Sequence, residues 1–386
     1  MSLSLRLPQG IVSTSLRVRD LDMHVLQAGD RQAPLVVLLH GFPELAFSWR
    51  KIMLPLADAG YFVVAPDVRG LGRTKSVSAP DRMITYEDDV RPYGLLNMAH
   101  DVVALVYALG YNSAAAVVGH DMGSVIAGHC AVARPDLFKS VVCMSAPFGG
   151  PPDLPFNVGA SSPESKPPSP KTLAVVLNDY LQSLDPPLKH YSVYNSLPAA
   201  NNDFLHPPGG LHAFLRAYYH MKSGDWPAND PHPLSSVSEL SQLPQYYIMP
   251  AQSTWSDVVL PNAPSDTAVG QNEWLRDEDL AVYVEEFNRT GFQGGLNGYR
   301  ASFTDEALVD QPRLFYGKKV EIPAMFIGGA KDWGVYQTPN GIAKMRSLFV
   351  RMSDEDFVLV DGAGHWVQQE NADAVVHHLL RFLHSQ

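Results

Sequence analysis

Three short stretches of this chain carry side chains able to make or break covalent bonds. In Val117-Val118-Gly119-His120-Asp121-Met122-Gly123-Ser124 a carboxylate stands with a glycine two residues to either side. Gly328-Gly329-Ala330-Lys331-Asp332-Trp333 holds a second carboxylate, and Asp361-Gly362-Ala363-Gly364-His365-Trp366 a histidine on a glycine-rich loop. A carboxylate opens ordinary esters poorly, but it can attack an sp3 carbon that bears a leaving group and so form an alkyl-enzyme ester. An imidazole titrating near neutrality can activate water against that ester, and Asp332 can accept its other N–H and fix the tautomer. Plainer readings stand beside these: Asp121 as a helix N-cap, His365 as a surface-loop histidine, Asp332 as a solvated turn carboxylate. The chain order nucleophile, acid, histidine favours the catalytic reading, because that order accompanies a sharp small-x-nucleophile-x-small turn.

Such a turn needs a strand before it and a helix after it. Residues 114–118 are an apolar run of buried-strand type, and 125–133 can continue as a helix until Pro135. The same alternation recurs along the chain. Residues 15–29 read as an edge hairpin, and 34–39 as a strand buried on both faces that ends in His40-Gly41-Phe42-Pro43-Glu44. A helix over 47–59, a strand over 61–65, a helix over 95–109 and a strand over 141–144 follow. After about residue 319 the pattern resumes with strands at 323–327 and 357–360 and an amphipathic helix over 372–383. This predicts an α/β fold with a mostly parallel, doubly wound sheet, whose chemistry collects at the carboxyl ends of the strands. The backbone N–H groups of Phe42 and Met122 are then the candidate oxyanion donors.

Most of the chain's 31 prolines fall between Pro147 and Pro312, where the alternation stops. Residues 147–318 read as an inserted, mainly helical lid, with helices near 171–184, 209–222 and 278–289 and proline-rich stretches at 151–170 and 225–270. Residues 1–146 and 319–386 make up the core domain. Only a lid can reach the far side of a substrate held on Asp121. Two of its tyrosine settings are of interest, His190-Tyr191-Ser192-Val193-Tyr194 and Gly294-Gly295-Leu296-Asn297-Gly298-Tyr299-Arg300, since a phenol can protonate a developing alkoxide. With 16 tyrosines in the chain, composition alone does not select these two.

A net charge of −11 argues against nucleic acid or an anionic membrane as the main partner. No apolar run approaches a membrane span, and Met1-Ser2-Leu3-Ser4-Leu5-Arg6 has no secretory pattern, so a cytoplasmic location is expected. Two cysteines, Cys130 and Cys143, lie in apolar runs, and no Cys/His cluster has metal spacing. Self-association as a homodimer stays open.

Taken together, His40-Gly41-Phe42-Pro43-Glu44, Gly119-His120-Asp121-Met122-Gly123, Lys331-Asp332 and Gly364-His365-Trp366 resemble the α/β-hydrolase-fold epoxide hydrolases. The resemblance extends to Tyr191-Ser192-Val193-Tyr194 and Gly295-Leu296-Asn297-Gly298-Tyr299-Arg300. It implies Asp121 as nucleophile, His365 as base, Asp332 as orienting acid, and Tyr191 with Tyr299 as epoxide-activating acids. It further implies an apolar epoxide and water as partners, a substrate site walled by His40, Pro43, Trp333 and Trp366, and no metal or organic cofactor. Two departures stand out: methionine follows the nucleophile where the family often has tryptophan, and the lid is long and proline-rich. A haloalkane- or haloacid-type dehalogenase uses the same Asp-His-acid chemistry, and a catalytically idle hydrolase fold that binds small molecules is a rival of another class.

Overall fold

The computed structural model describes residues 5–152, 173–304 and 306–386. The chain opens with β1 (Val12–Val18), β2 (Leu21–Ala28) and β3 (Leu35–Leu39), then α1 (Arg50–Asp58), β4 (Phe62–Pro66) and the short β5 (Lys75–Ser76). After these come α2 (Leu95–Ala108), β6 (Ala116–His120), α3 (Met122–Ala133) and β7 (Val141–Met144). Strands β3, β4, β6 and β7 are buried along their whole length, as β-branched and leucine runs dictate when both faces of a parallel sheet are covered.

Between β7 and the next sheet strand lie α4 (Leu173–Gln182), β8 (Leu188–His190), α5 (Tyr191–Asn195), α6 (Ala199–Leu205), α7 (Leu211–Lys222) and β9 (Ile248–Pro250). They continue with α8 (Trp255–Val259), α9 (Asp266–Gln271), α10 (Asp277–Thr290), α11 (Gln293–Thr304) and α12 (Glu306–Asp310). The chain then returns through β10 (Ala324–Gly329), α13 (Gly341–Leu348), β11 (Phe357–Val360), α14 (Val367–Glu370) and α15 (Ala372–His384).

The described strands form one nine-stranded sheet in the order β1-β2-β4-β3-β6-β7-β10-β11, with β5 on β2. Pairing is parallel from β4 through β11 and antiparallel only at the β1, β2 and β5 edge. One face is covered by α1 and α15, which bring Trp49, Ile52, Met53 and Leu56 against Val375, Leu379 and Phe382. The other is covered by α2, α3 and α13 through Val102, Leu105, Ile126, Cys130 and Met345. Each of these large side chains contributes about 1.5–3 kcal/mol on burial, so the sheet is a rigid base for the loops at its carboxyl edge. Cys130 and Cys143 are free and buried, and burial raises both thiols above the usual cysteine range. No helix among the described residues is long and apolar enough to cross a membrane.

The segment between β7 and β10, expected to be a lid, is richer in structure than its composition suggests. Beside the three expected helices it holds α5, α6, α8, α9, α11, α12 and a two-stranded antiparallel sheet of β8 and β9. The prolines punctuate these elements instead of preventing them: Pro198 caps α6, Pro207 and Pro208 follow it, and Pro186 and Pro187 precede β8. The proline-rich stretch 225–270 contains β9, α8 with its Thr254–Asp257 capping box, and α9. Most of the stretch 151–170 lies outside the described residues.

Helix α11, which carries Tyr299, is the least expected element, because each glycine in its Gly294-Gly295-Leu296-Asn297-Gly298 start disfavours a helix by about 1 kcal/mol. Close approach explains them. A Cβ at Gly294 would lie 1.8 Å from the Gly70 carbonyl oxygen, and one at Gly295 would lie 2.4 Å from the Phe42 ring. The bare backbone lets α11 press onto the turn that follows β3.

An aromatic cluster joins the lid segment to the sheet's carboxyl edge. Phe204, Tyr218, Tyr219, Trp255 and Phe292 meet Phe42, Phe47 and Trp366 there. Ion pairs of Arg50 with Asp279 (2.9 Å) and Arg73 with Glu286 (2.7 Å) add to the docking.

Candidate active site

Asp121 is the single residue between the end of β6 and the start of α3, and the turn there is tight enough to distort it. Its φ is +53° and its ψ −118°, a conformation that costs a non-glycine residue about 1–3 kcal/mol. Glycines make the turn feasible. A Cβ at Gly119 would sit 1.9 Å from the Gly123 carbonyl oxygen, and one at Gly123 would sit 2.3 Å from that of Leu39. The carboxylate does not cap α3. Instead Oδ1 accepts the Phe42 N–H at 3.0 Å, and Oδ2 lies 3.4 Å from Nε2 of His365.

His365 stands on the loop between β11 and α14. Its Nδ1 donates to both oxygens of Asp332, at 3.1 and 3.2 Å, and its backbone N–H bonds the Lys222 carbonyl at 2.8 Å. Asp332, on the turn after β10, is held in turn by the Gly334 N–H at 2.6 Å. The three stretches that the sequence singles out, from three separate strand ends, therefore meet in one place. The 3.4 Å gap between Nε2 and Asp121 is too long for a good hydrogen bond. It leaves the ring nitrogen without a hydrogen-bond partner among the described residues and facing the space beside the carboxylate. Burial opposes the charge on Asp121, yet the facing His365 ring and the charges of Lys222 and His120 outweigh it and hold its pKa well below the usual carboxylate range.

Across that space stand Tyr191, at the start of α5, and Tyr299, in α11. Their rings meet edge-on with centroids 6.0 Å apart, and Tyr299 packs edge-on against Phe42 at 5.8 Å. Burial raises both phenols above the usual tyrosine range, and the nearby Asp121 charge raises them further. Both stay protonated, and thus remain hydrogen-bond donors, throughout the neutral range. Asp121, Met122, Tyr191 and Tyr299 are each half-buried, and the space between them is the candidate substrate chamber. A surface cleft of 560 Å³ between Arg69, Met83, Tyr93 and Arg289 is lined by none of the four.

Comparison with known proteins bears on this geometry. Residues 34–172 match the family model of the α/β hydrolase fold. Epoxide hydrolase A of Mycobacterium tuberculosis (strain ATCC 25618 / H37Rv) is 30% identical over 369 residues, which is 94% of this chain and 94% of the relative. The chain belongs to the epoxide hydrolases. An epoxide hydrolase of Caballeronia sordidicola is 28% identical over 97% of this chain and 94% of its own length. Among solved structures, an epoxide hydrolase from an endophytic Streptomyces superposes with a TM-score of 0.76 at 27% identity, covering 98% of this chain and 96% of that one. A laboratory-evolved variant of potato epoxide hydrolase gives 0.72 at 26% identity, covering 97% and 100%.

In this member of the epoxide hydrolases, four residues expected to wall the substrate site are placed differently. His40 is fully buried with both ring nitrogens engaged, Nδ1 with the Gly41 carbonyl and Nε2 with the Val68 N–H, so it braces the turn and does not face the chamber. Trp366 is also fully buried and donates its indole N–H to the Tyr219 carbonyl, forming a floor under His365. Pro43 is buried, follows a cis peptide bond and accepts from the Tyr219 hydroxyl. Trp333, 4% exposed, stacks edge-on with His232 and sits behind Asp332.

Sequence reasoning missed Glu44 and His120. They form a buried ion pair at 2.5 Å, with Glu44 also accepting from Gly41, Gln368 and Gln369. His120 Nε2 donates to the His365 carbonyl at 2.7 Å. Burial pulls His120 down, but Glu44 more than offsets this and raises it to about 9, while the same pairing lowers Glu44. The pair links the Phe42 turn, the strand that ends at Asp121 and the His365 loop in one network. Both residues stand inside the motifs quoted for the resemblance, and an acid beside the oxyanion turn with a histidine beside the nucleophile was the available signal. Glu370 is a second omission. Its carboxylate accepts the N–H groups of Gly364 and Trp366, on either side of His365, and that of Gly224 in the lid segment, at 2.7–2.9 Å.

Proposed function

We propose that this chain hydrolyses a small apolar epoxide to a vicinal diol through a covalent hydroxyalkyl ester on Asp121. We divide it for that purpose into a core, 1–146 and 319–386, and a cap, 147–318. The observation that carries the reading is the Asp121 carboxylate, backed by His365 and Asp332, beside two protonated phenols that its charge reaches.

Oδ1 of Asp121 is occupied by the Phe42 N–H, which leaves Oδ2 as the attacking oxygen. As Oδ2 bonds the epoxide carbon, the ring C–O bond breaks and its electron pair passes to the epoxide oxygen. Tyr191 and Tyr299 hold that oxygen, and one of them gives it a proton. The ester carbonyl then points Oδ1 at the Phe42 N–H and, beside it, at the Met122 N–H. Water adds to the ester carbon while His365 takes its proton at Nε2, and Asp332 steadies the imidazolium. An oxyanion donor of this kind is worth about 3–4 kcal/mol. The tetrahedral intermediate collapses by breaking the acyl C–O bond to the alkyl group, the departing alkoxide recovers the proton from His365, and the Asp121 acid so formed returns a proton to the phenolate left by the first step.

A dehalogenase would need donors for a departing halide beside the nucleophile. Here that place holds Met122, whose sulfur lies against Gly298, and the chamber's donors are phenols. Incubation with styrene oxide and, separately, with a chloroalkane distinguishes the two, with product measured by chromatography and halide release. Diol from the epoxide without halide from the chloroalkane is expected, and halide release without diol would overturn the reading.

A further inference from the structure

Lys222, the last residue of α7, is 3% exposed, and its ammonium lies among four rings. The ring centroids are 5.0 Å away for Tyr247, 5.6 Å for Tyr218 and Trp366, and 5.8 Å for Tyr246. No carboxylate of the described residues forms an ion pair with it, and the charges it senses are the more distant Asp121, Asp332 and Glu44. Burying an ammonium is costly, and desolvated aromatic faces return only part of that cost. The rest of its stabilisation comes from a chamber that is otherwise negative. Burial lowers Lys222 below the usual lysine range, and those three carboxylates push the other way. Its backbone carbonyl takes the His365 N–H, so the cation and the base are held in fixed relation.

A count of charges around His365 gives the cation a purpose. Asp121 lies 3.4 Å from Nε2, and Asp332 lies 3.1 Å from Nδ1. His120, its ring 5.0 Å away, is paired with Glu44, and these two cancel. Glu370 lies behind the loop, its carboxyl turned to three backbone N–H groups and pushed up by burial to about 7, so it titrates within the neutral range on its own account. The phenols of Tyr191, Tyr218, Tyr246, Tyr247 and Tyr299 are neutral, because burial raises all five. Asp121 and Asp332 are left uncancelled on either side of the ring, and an imidazole that already carries a second proton cannot take one from water. Nucleophilic attack needs Asp121 ionised, whereas hydrolysis needs His365 neutral. With the imidazolium as the only uncancelled positive charge beside the two carboxylates, the two requirements would conflict.

We propose that Lys222 supplies the standing positive charge that lets Asp121 stay ionised while His365 stays neutral. It is then a positioning residue that acts through the base. Once the ester forms, the charge on Asp121 is gone and Lys222 opposes protonation of His365 more strongly, just when a base is required. This inference rests on the epoxide-hydrolase reading given above.

Rapid-quench kinetics with styrene oxide, from about pH 5 to about pH 9, separate ester formation from ester hydrolysis across the range where an imidazole titrates. In Lys222→Met the acid limb of the hydrolysis profile is expected to lie about one pH unit higher than in the native enzyme, with hydrolysis roughly tenfold slower on that limb. Lys222→Arg, which keeps the charge, is expected to retain the native limb. A loss of packing alone would slow hydrolysis evenly across the range. An unmoved limb in Lys222→Met, with ester formed, overturns the proposal and leaves the reaction class intact. If the methionine variant does not fold, a displaced limb in Lys222→Arg overturns it instead. Absence of any ester on the native enzyme overturns the reaction class and this proposal with it.

Discussion

Tyr191→Phe combined with Tyr299→Phe is expected to slow formation of the ester from styrene oxide roughly a thousandfold or more, the scale of losing a positioned general acid. The two rings meet edge-on, so the phenylalanine pair keeps the packing and deletes only the hydroxyls. Thermal melting should therefore change little. Each single variant should lose less than the pair, because the remaining phenol can both hold and protonate the oxygen. The prediction concerns formation of the ester, not its hydrolysis, so rapid-quench rates for the first step are the proper readout. A double variant that forms ester at the native rate would remove the tyrosines from the mechanism and leave Asp121 to act on a substrate that needs no acid.

His365→Gln should divide the reaction at its middle. Asp121 still receives the Phe42 N–H and still faces the phenols, so the first step survives. Water, however, loses its base, and turnover is expected to fall roughly ten-thousandfold or more, as it does when a triad histidine is removed. The measurable signature is a burst of epoxide consumption equal to the enzyme present, with almost no diol, and a protein mass raised by one whole epoxide. Loss of the burst along with turnover would mean that His365 serves the first step or the fold, and not the hydrolysis.

The parts of this molecule that were legible in its sequence are those fixed by local rules. Buried parallel strands read as apolar runs, and β7 and β11 fall where those runs do. The turn at Asp121 was legible because only small residues clear its neighbours. What was hidden depends on contacts between distant segments. The glycines of α11 argue against a helix until the Phe42 turn is seen lying on them. The strands β8 and β9 are three residues each and find each other across some sixty residues of intervening chain, a pairing that carries no local signal. His40 and Trp366 were expected at the substrate, but both lie fully buried in the core behind the stretches that hold them. Lys222 sits at the end of an ordinary amphipathic helix, and nothing in Tyr218-Tyr219-His220-Met221-Lys222-Ser223 marks its ammonium as buried among rings from three parts of the chain.

The central claim is that the oxygen added to the epoxide comes first from Asp121 and only then from water. Heavy-oxygen water answers it on the native enzyme, with enzyme in excess so that each molecule turns over once. The first diol should be unlabelled, and the peptide carrying Asp121 should have gained one heavy oxygen. A first diol that already holds the label, with Asp121 unlabelled, would mean that water attacks the epoxide directly and that no ester on Asp121 exists.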